Sequence, residues 1–318
     1  MQTCNDLYSL IFQKLVKLNI ISYQEKIILR PYCNVNLSGK SYSNYIISCL
    51  YTGQKFFLKI LKDNDMSSHC NDYLQTFQDE NGDYIYPSIL VPKFKFNNIY
   101  YFIMTFIEGV SLDKIAKNLS IDQWKKISQK MLIRLDELSK IHAPLYSENN
   151  KFTTNDCATI LKEKFLKRFK HPLFDIYSNK KLEKAFKCCC QILDNSCYTE
   201  PTLLHMDIKP ANIIYNSKTG FVTLIDFELA RFGDIDYGWT QVLLSGINAF
   251  DEEYKQYFIP CVTKGRLTLN EALKIPKYQC YLLYQTACNL IYYYNRGISC
   301  PGDIKQLFDK LLDKLSQE

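Results

Sequence analysis

Apolar residues recur at helical intervals from the start of the chain. Leu7, Leu10, Ile11, Leu15 and Leu18 fall on one face of an amphipathic helix predicted over residues 5–20. The pattern then shortens. Ile27–Cys33, Asn44–Leu50 and Lys55–Leu61 are β-rich, with a turn at Thr52-Gly53-Gln54 leading into the third. Ile99–Ile107, IYYFIMTFI, is one continuous apolar run and reads as a further strand. Helical spacing returns at Ser120, which forms a capping box with Gln123. The helix it opens carries Trp124, Ile127, Met131, Leu135, Leu138 and Ile141 on one face. Lysine-rich helices with solvated faces are expected over residues 151–198. Ile213–Tyr215 and Phe221–Ile225 flank a turn containing Lys218 and Gly220, the signature of a β-hairpin. Beyond it, Trp239–Phe250, Glu253–Phe258, Leu269–Ile275 and Lys277–Arg296 read as helices, the last two separated by Pro276.

With 318 residues the chain is long enough for two lobes with full cores. Its 47% hydrophobic and 23% charged content is that of an ordinary globular enzyme. A net charge of +6 without a basic run interleaved with aromatics argues against a nucleic-acid partner. The 13 cysteines include no C-x-x-C pair, and Cys188-Cys189-Cys190 are consecutive, which suits neither a zinc site nor a disulfide framework. The N-terminus lacks the charged and apolar regions of a signal peptide, and no apolar stretch reaches membrane-spanning length. A reduced, cytoplasmic protein with free thiols and no membrane partner is expected.

The chemistry concentrates in residues 203–234, LLHMDIKPANIIYNSKTGFVTLIDFELARFGD. His205, Asp207 and Asn212 precede the hairpin and Asp226 ends it, so folding is expected to gather Asp207, Asn212 and Asp226 at one end of a rigid scaffold. A carboxylate that accepts a proton, beside oxygens that hold Mg²⁺, is what phosphoryl transfer requires. Any one of these residues could equally be a turn former or cap; the set in this order points to chemistry. Gly39-Lys40-Ser41 mimics the end of a P-loop, but Asn34 stands where that motif needs glycine, and the segment leads into a strand.

The stretch resembles the kinase-like superfamily, whose catalytic core reads H-x-D-x-x-x-x-N followed by an apolar strand ending in Asp. Ile225-Asp226-Phe227-Glu228 and Gly233-Asp234 resemble more closely the I-D-x-E and G-D of the aminoglycoside phosphotransferase and choline kinase branch. Protein kinases carry D-F-G and A-P-E instead, and neither is present; Asp207-Ile208-Lys209-Pro210 alone looks like the protein-kinase loop. The resemblance implies a two-lobed α+β kinase-like fold, with an antiparallel-sheet nucleotide-binding lobe over residues 1–107 and a mainly helical catalytic and acceptor lobe over 108–318. It implies ATP as phosphoryl donor, with GTP as an alternative, and Mg²⁺ as cofactor.

Position by position, the resemblance makes Asp207 the base that takes the acceptor hydroxyl's proton, and Asn212 and Asp226 the Mg²⁺ ligands. His205 supports the loop, and Lys209 either neutralises the γ-phosphate or is an exposed lysine. Lys59, alone in the apolar strand Phe56–Leu61, is placed on the α- and β-phosphates, with an acidic partner from the next helix, where Asp72 is the candidate. The loop Asn34–Ser43 would cover the phosphates through Gly39 and Ser41. Met104 would lie behind the adenine, with the backbones of Thr105 and Ile107 on its edge. Two departures stand out: Met206 occupies a position where antibiotic kinases commonly have glycine, and Gly238 occupies that of the family's second aspartate, with Asp236 displaced by two. His142, at the end of a core helix, reads as structural.

The acceptor implied is a small hydroxylated molecule, an aminoglycoside-type antibiotic first, with choline, ethanolamine or a sugar as alternatives and a protein kinase or a kinase-shaped binding module as competing readings. Asp251-Glu252-Glu253 would suit a polycation, and the tyrosines of the final helix a quaternary ammonium or a sugar ring.

Overall fold

The computed structural model describes residues 2–37, 40–61, 67–80, 82–143, 146–148, 151–154, 157–196, 200–248, 256, 258–259 and 268–317. Its contacts divide the chain into two units, 1–109 with 225–229 and 110–224 with 230–318. In the first, the N-terminal periodicity becomes α1 (Gln2–Lys17). The β-rich segments become β1 (Ile27–Leu37), β2 (Lys40–Cys49) and β3 (Lys55–Ile60), followed by α2 (Ser67–Leu74), β4 (Ile89–Phe96) and β5 (Ile99–Thr105). The strands form one antiparallel sheet in the order β1-β2-β3-β5-β4. Leu7, Ile11 and Leu15 of α1 are buried in one cluster with Ile47, Leu58 and Ile103 of the sheet. Each such side chain removed from water contributes about 1.5–3 kcal/mol, which is why a helix of modest propensity holds its place.

Two polar residues finish the sheet from inside. Glu25, 5% exposed, accepts from the N–H groups of Lys26, Tyr51 and Thr52 and so closes the β2–β3 turn. The Tyr51 N–H foremost holds the Glu25 carboxyl below the usual range. Asn44 Oδ1 accepts the Ile60 N–H at 2.8 Å. The expected ten-residue loop over Asn34–Ser43 is corrected: Asn34 pairs with Ser43 and Leu37 with Lys40, so both flanks are strand. Alternation of polar Asn and Ser with Val, Leu and Tyr is itself a strand pattern, which the turn-forming composition concealed.

The second unit begins with β6 (Val110–Ser111) and α3 (Leu112–Ile115), then α4 (Ile121–Ser139), whose capping box is present as predicted. A small hairpin, β7 (Tyr146–Glu148) and β8 (Lys151–Thr154), precedes α5 (Cys157–Phe169) and α6 (Asn179–Ser196). β9 (Thr202–Leu204) leads to the predicted hairpin, β10 (Ile213–Asn216) and β11 (Phe221–Leu224). β12 (Arg231–Gly233) pairs back onto β9. Among the described residues the unit continues with α7 (Ile235–Asn248), α8 (Leu269–Ala272), α9 (Pro276–Asn295) and α10 (Gly302–Leu315). Pro276 opens α9 at a position that needs no N–H donor.

The core of this unit joins α5, α6, α7, α9 and α10 through Phe165, Leu193, Leu244, Tyr281 and Phe308. Cys188 and Cys189 on α6 are part of it and act as small apolar side chains. The cysteines described are free thiols. A hydrogen bond with Cys280 and then burial raise the Cys189 thiol well above its usual value. Among the described residues no helix is long and apolar enough to cross a membrane.

Candidate active site

α4 holds the β10–β11 hairpin that follows residues 205–212. Lys130 Nζ donates to the Gly220 carbonyl at 2.6 Å, and Arg134 Nε donates to that of Val222 at 3.1 Å. The end of α4 is bound to β9: Leu203 N–H donates to Ile141 O, and Ala143 N–H to Pro201 O. This places His142 in backbone register with Thr202. The strand β9 then delivers residues 205–212 as an irregular segment closed by a 3-10 turn at Pro210–Asn212.

Within that segment His205, Asp207, Lys209 and Asn212 come together. His205 is 3% exposed, and its Nδ1 accepts the Asp207 N–H at 3.2 Å, so the ring proton sits on Nε2. Asn212 Nδ2 donates both to the Asp207 carbonyl at 2.9 Å and to Asp207 Oδ2 at 2.8 Å. Lys209 Nζ lies 2.7 Å from the same Oδ2. Both contacts fall on one carboxylate oxygen, and Oδ1 has no partner among the described residues. Of the two sequence readings of Lys209, neither foresaw this ion pair; the lysine side chain is half exposed and reaches back two residues. The bend is made by Met206, whose φ of +63° lies in the left-handed region. Glycine is the residue that region favours, and a methionine occupies it here.

Lys59 and Asp226 meet in the other unit. Lys59 Nζ is 2.7 Å from Asp226 Oδ1 and 3.7 Å from Glu228 Oε2, with its side chain 11% exposed. Lys59 pairs in register with Phe102 of β5, which keeps its stem among apolar strands. Asp226 also has positive φ, +66°, and the 3-10 turn Phe227–Leu229 follows it. Phe227 packs edge-on against Tyr86, fixing the segment. The expected partner of Lys59 is corrected here. Asp72 is exposed on α2, whereas Asp226 and Glu228 supply the negative charge. Two carboxylates two residues apart on a tight turn supply both charges without the next helix. Glu228 was visible as the last letter of I-D-x-E, but nothing in the sequence assigned it to Lys59.

Met104 is buried, opposite Phe57 and Ile89 in the sheet, and Ile107 is half-buried. Thr105 exchanges two hydrogen bonds with Ser88, donating its N–H to the Ser88 carbonyl and accepting the Ser88 N–H on Oγ1, both at 2.9 Å. Gly39 and Asp251-Glu252-Glu253 lie outside the described residues. Ser41 belongs to β2 opposite Asn36, and its side chain too is outside them.

A polar cluster that the sequence did not disclose anchors α7. Asp234, fully buried, accepts the Asp236 N–H on Oδ1, and its backbone carbonyl accepts the N–H groups of Tyr237 and Gly238. Its Oδ2 accepts from Tyr281 Oη at 2.8 Å and Lys277 Nζ at 2.7 Å. Lys277 also pairs with Asp236 at 2.8 Å, and Tyr278 Oη donates to Asp236 at 2.6 Å. Burial opposes the charge on Lys277, but the two carboxylates outweigh it and raise its pKa above the ordinary lysine value. The displaced Asp236 thus has a structural partner on α9. The available signal was a lysine at the start of an otherwise uncharged helix.

The phosphotransferase enzyme family model matches residues 76–259. No curated protein sequence matches the chain. Solved structures similar to it include the aminoglycoside phosphotransferase APH(4)-Ia, at 12% identity and a TM-score of 0.64, covering 98% of each chain. A GDP complex of aminoglycoside 2'-phosphotransferase-IIIa matches at 16% identity and a TM-score of 0.56, covering 97% of this chain and 98% of that one. A gentamicin complex of APH(2")-IIa matches at 18% identity and a TM-score of 0.54, covering 97% and 95%. These likenesses agree with the α+β architecture, a five-stranded antiparallel sheet followed by a mainly helical unit. With the matched family model spanning more than half of its length, the chain belongs to the phosphotransferase enzyme family.

Proposed function

We propose that this protein transfers the γ-phosphate of ATP to a hydroxyl of a small molecule, with an aminoglycoside-type antibiotic as the leading acceptor. The observation that carries this reading is the state of Asp207. Its carbonyl and Oδ2 are held by Asn212 and Lys209, while Oδ1 has no partner among the described residues. A carboxylate fixed at one oxygen and open at the other can orient an acceptor hydroxyl and take its proton at Oδ1. Lys209 keeps Oδ2 in place and brings positive charge toward the γ-phosphate. His205 supports the loop through its bond to the Asp207 N–H.

The nucleotide is assigned to the first unit and the acceptor to the second, with the boundary near residue 107. Lys59 is proposed to contact the α- and β-phosphates, leaving its ion pair with Asp226 when phosphate arrives. Gly39 and Ser41 are assigned to the phosphates. Met104, Thr105 and Ile107 are assigned to the adenine; with the Thr105 N–H engaged by Ser88, an adenine contact there falls to the carbonyl. The donor set suits Mg²⁺: Asn212 uses its amide nitrogen on Asp207, leaving an amide oxygen, and Asp226 adds a carboxylate. Bound there, Mg²⁺ would offset the negative charge of the phosphate oxygens. No cluster of three carboxylate, imidazole or thiol ligands occurs among the described residues, and a site completed by substrate phosphates needs none.

Support for the acceptor comes from the matched proteins. One is a ternary complex with AMP-PNP and hygromycin B, and another binds gentamicin. GTP as donor draws its support from the GDP complex. Choline, ethanolamine and sugars remain the alternative acceptors, and a cytoplasmic location fits the free thiols.

The test is an acceptor screen with Mg-ATP and Mg-GTP over aminoglycosides, other hydroxylated antibiotics, choline, ethanolamine, sugars and a protein substrate. Release of nucleoside diphosphate with one small-molecule class, lost in Asp207→Ala while nucleotide still binds, is the expected result. Turnover retained in that variant, or transfer into protein alone, contradicts the reading.

A further inference from the structure

The peptide unit that follows Asp207 is gripped at both ends. Its carbonyl accepts from Asn212 Nδ2 at 2.9 Å, and its N–H, that of Ile208, donates to Gln241 Oε1 at 3.3 Å. A peptide is planar, so fixing its oxygen and its hydrogen fixes the plane. With the Asp207 N–H held by His205, the backbone on both sides of the carboxylate is then determined. Two of the three side chains that hold it, His205 and Asn212, come from the segment 205–212; Gln241 alone comes from a different element, the middle of α7.

Where Gln241 stands on α7 gives this bond its meaning. Gly238, one turn earlier on the same helix face, lies against Leu204: a Cβ there would approach Leu204 Cδ2 to 2.8 Å, so a side chain would have to displace it. Leu204 occupies that space, and Gln241 is long enough to reach past it to the Ile208 amide. The start of α7 is itself immobilised by the buried Asp234, Lys277 and Tyr281 cluster. From the middle of this anchored helix the Gln241 side-chain carbonyl therefore reaches the backbone beside the proposed base.

We infer that Gln241 is a positioning residue for phosphoryl transfer, setting the orientation of the Asp207 carboxylate through the Ile208 N–H. The inference rests on Asp207 being the base. Gln241 touches no reacting atom, so its loss leaves nucleotide binding intact and slows the chemical step. Reaction rates respond steeply to the placement of a catalytic group, and displacement by about 1 Å can cost on the order of 100-fold.

The experiment compares Gln241→Met, which keeps volume but removes the acceptor, with Gln241→Glu, which keeps an acceptor oxygen. Asp207→Ala is the reference, and the acceptor is whichever compound releases nucleoside diphosphate in the screen. Gln241→Met is expected to lower kcat by about 10- to 100-fold with the nucleotide KM unchanged. Hydrogen exchange at the Ile208 amide, readable without any acceptor, is expected to accelerate in the same variant. Gln241→Glu is expected to stay close to wild type in both. Wild-type kcat or unchanged Ile208 exchange in Gln241→Met overturns the inference, as does a Gln241→Glu variant equally impaired. If Asp207→Ala abolishes turnover in the same series, only the role of Gln241 has failed. Turnover that survives Asp207→Ala removes the base assignment and this inference together.

Discussion

Leu204 lies between two backbones that carry no Cβ. One added at Gly233 would approach its Cδ1 to 2.9 Å, and one at Gly238 would approach Cδ2 to 2.8 Å. The second glycine thus has a packing reason, since any side chain there meets Leu204. The consequence is a coupling. Gly238→Ala brings a helix-propensity gain of about 1 kcal/mol that the clash with Leu204 opposes. In a Leu204→Ala background, itself costing about 2–5 kcal/mol, the clash is gone and the gain should appear in full. Thermal or denaturant unfolding of the four proteins should show a coupling energy of at least about 1 kcal/mol, and additivity would refute the account. At this scale the sequence was legible where residues act by type and spacing. Asp207 and Asn212 sit five residues apart before a hairpin and were expected at one end of it, where the structure joins them by hydrogen bonds. It was not legible where a residue acts through space. Glu228 beside Lys59 and Gln241 beside Ile208 are meetings that only the folded chain produces.

Among elements, α7 and α9 are joined by the charged cluster at their N-terminal ends as well as by apolar packing. Lys277 stands between a fully buried carboxylate and a part-exposed one, 2.7 Å from the first and 2.8 Å from the second. Lys277→Met leaves the Asp234 charge with hydrogen bonds and no counter-ion, and is expected to cost about 3–5 kcal/mol of stability. Because the folded pKa of Lys277 is raised, its contribution is complete below the unfolded-chain lysine value. The gap between wild type and variant should therefore stay level through neutral pH and shrink only above about pH 10.4. A gap that already closes near neutral pH would contradict the ion-pair account. Element identity was read well wherever period and caps coincide, as in α4 with its Ser120–Gln123 box and the β10–β11 hairpin. β4 escaped because Pro92 and two register shifts interrupt its alternation, and β9 and β12 are three residues each, too short to show a period.

For the whole molecule, the division of the chain has a thermodynamic consequence. The segment 225–229 belongs by its contacts to the N-terminal unit, although it follows the hairpin of the other unit in sequence. The proposed nucleotide group Lys59 and Asp226 is therefore built from residues 167 positions apart that are joined directly by an ion pair. A ligand that binds only the native state stabilises it by mass action, about 2.7 kcal/mol at a hundred times its Kd. Mg-ATP should accordingly raise the midpoint of thermal unfolding of the wild type, more than ATP with a chelator does. Asp226→Ala should lose the Mg²⁺-dependent part of that shift, since it removes a proposed ligand of the metal. The same substitution also removes a carboxylate from Lys59, 3.7 Å from Glu228, which keeps a counter-charge and lets the variant fold. The comparison is therefore between ligand-induced shifts within each protein, not between their midpoints. An equal Mg²⁺-dependent shift in both proteins would remove Asp226 from the metal site while leaving its ion pair with Lys59 as a purely structural contact.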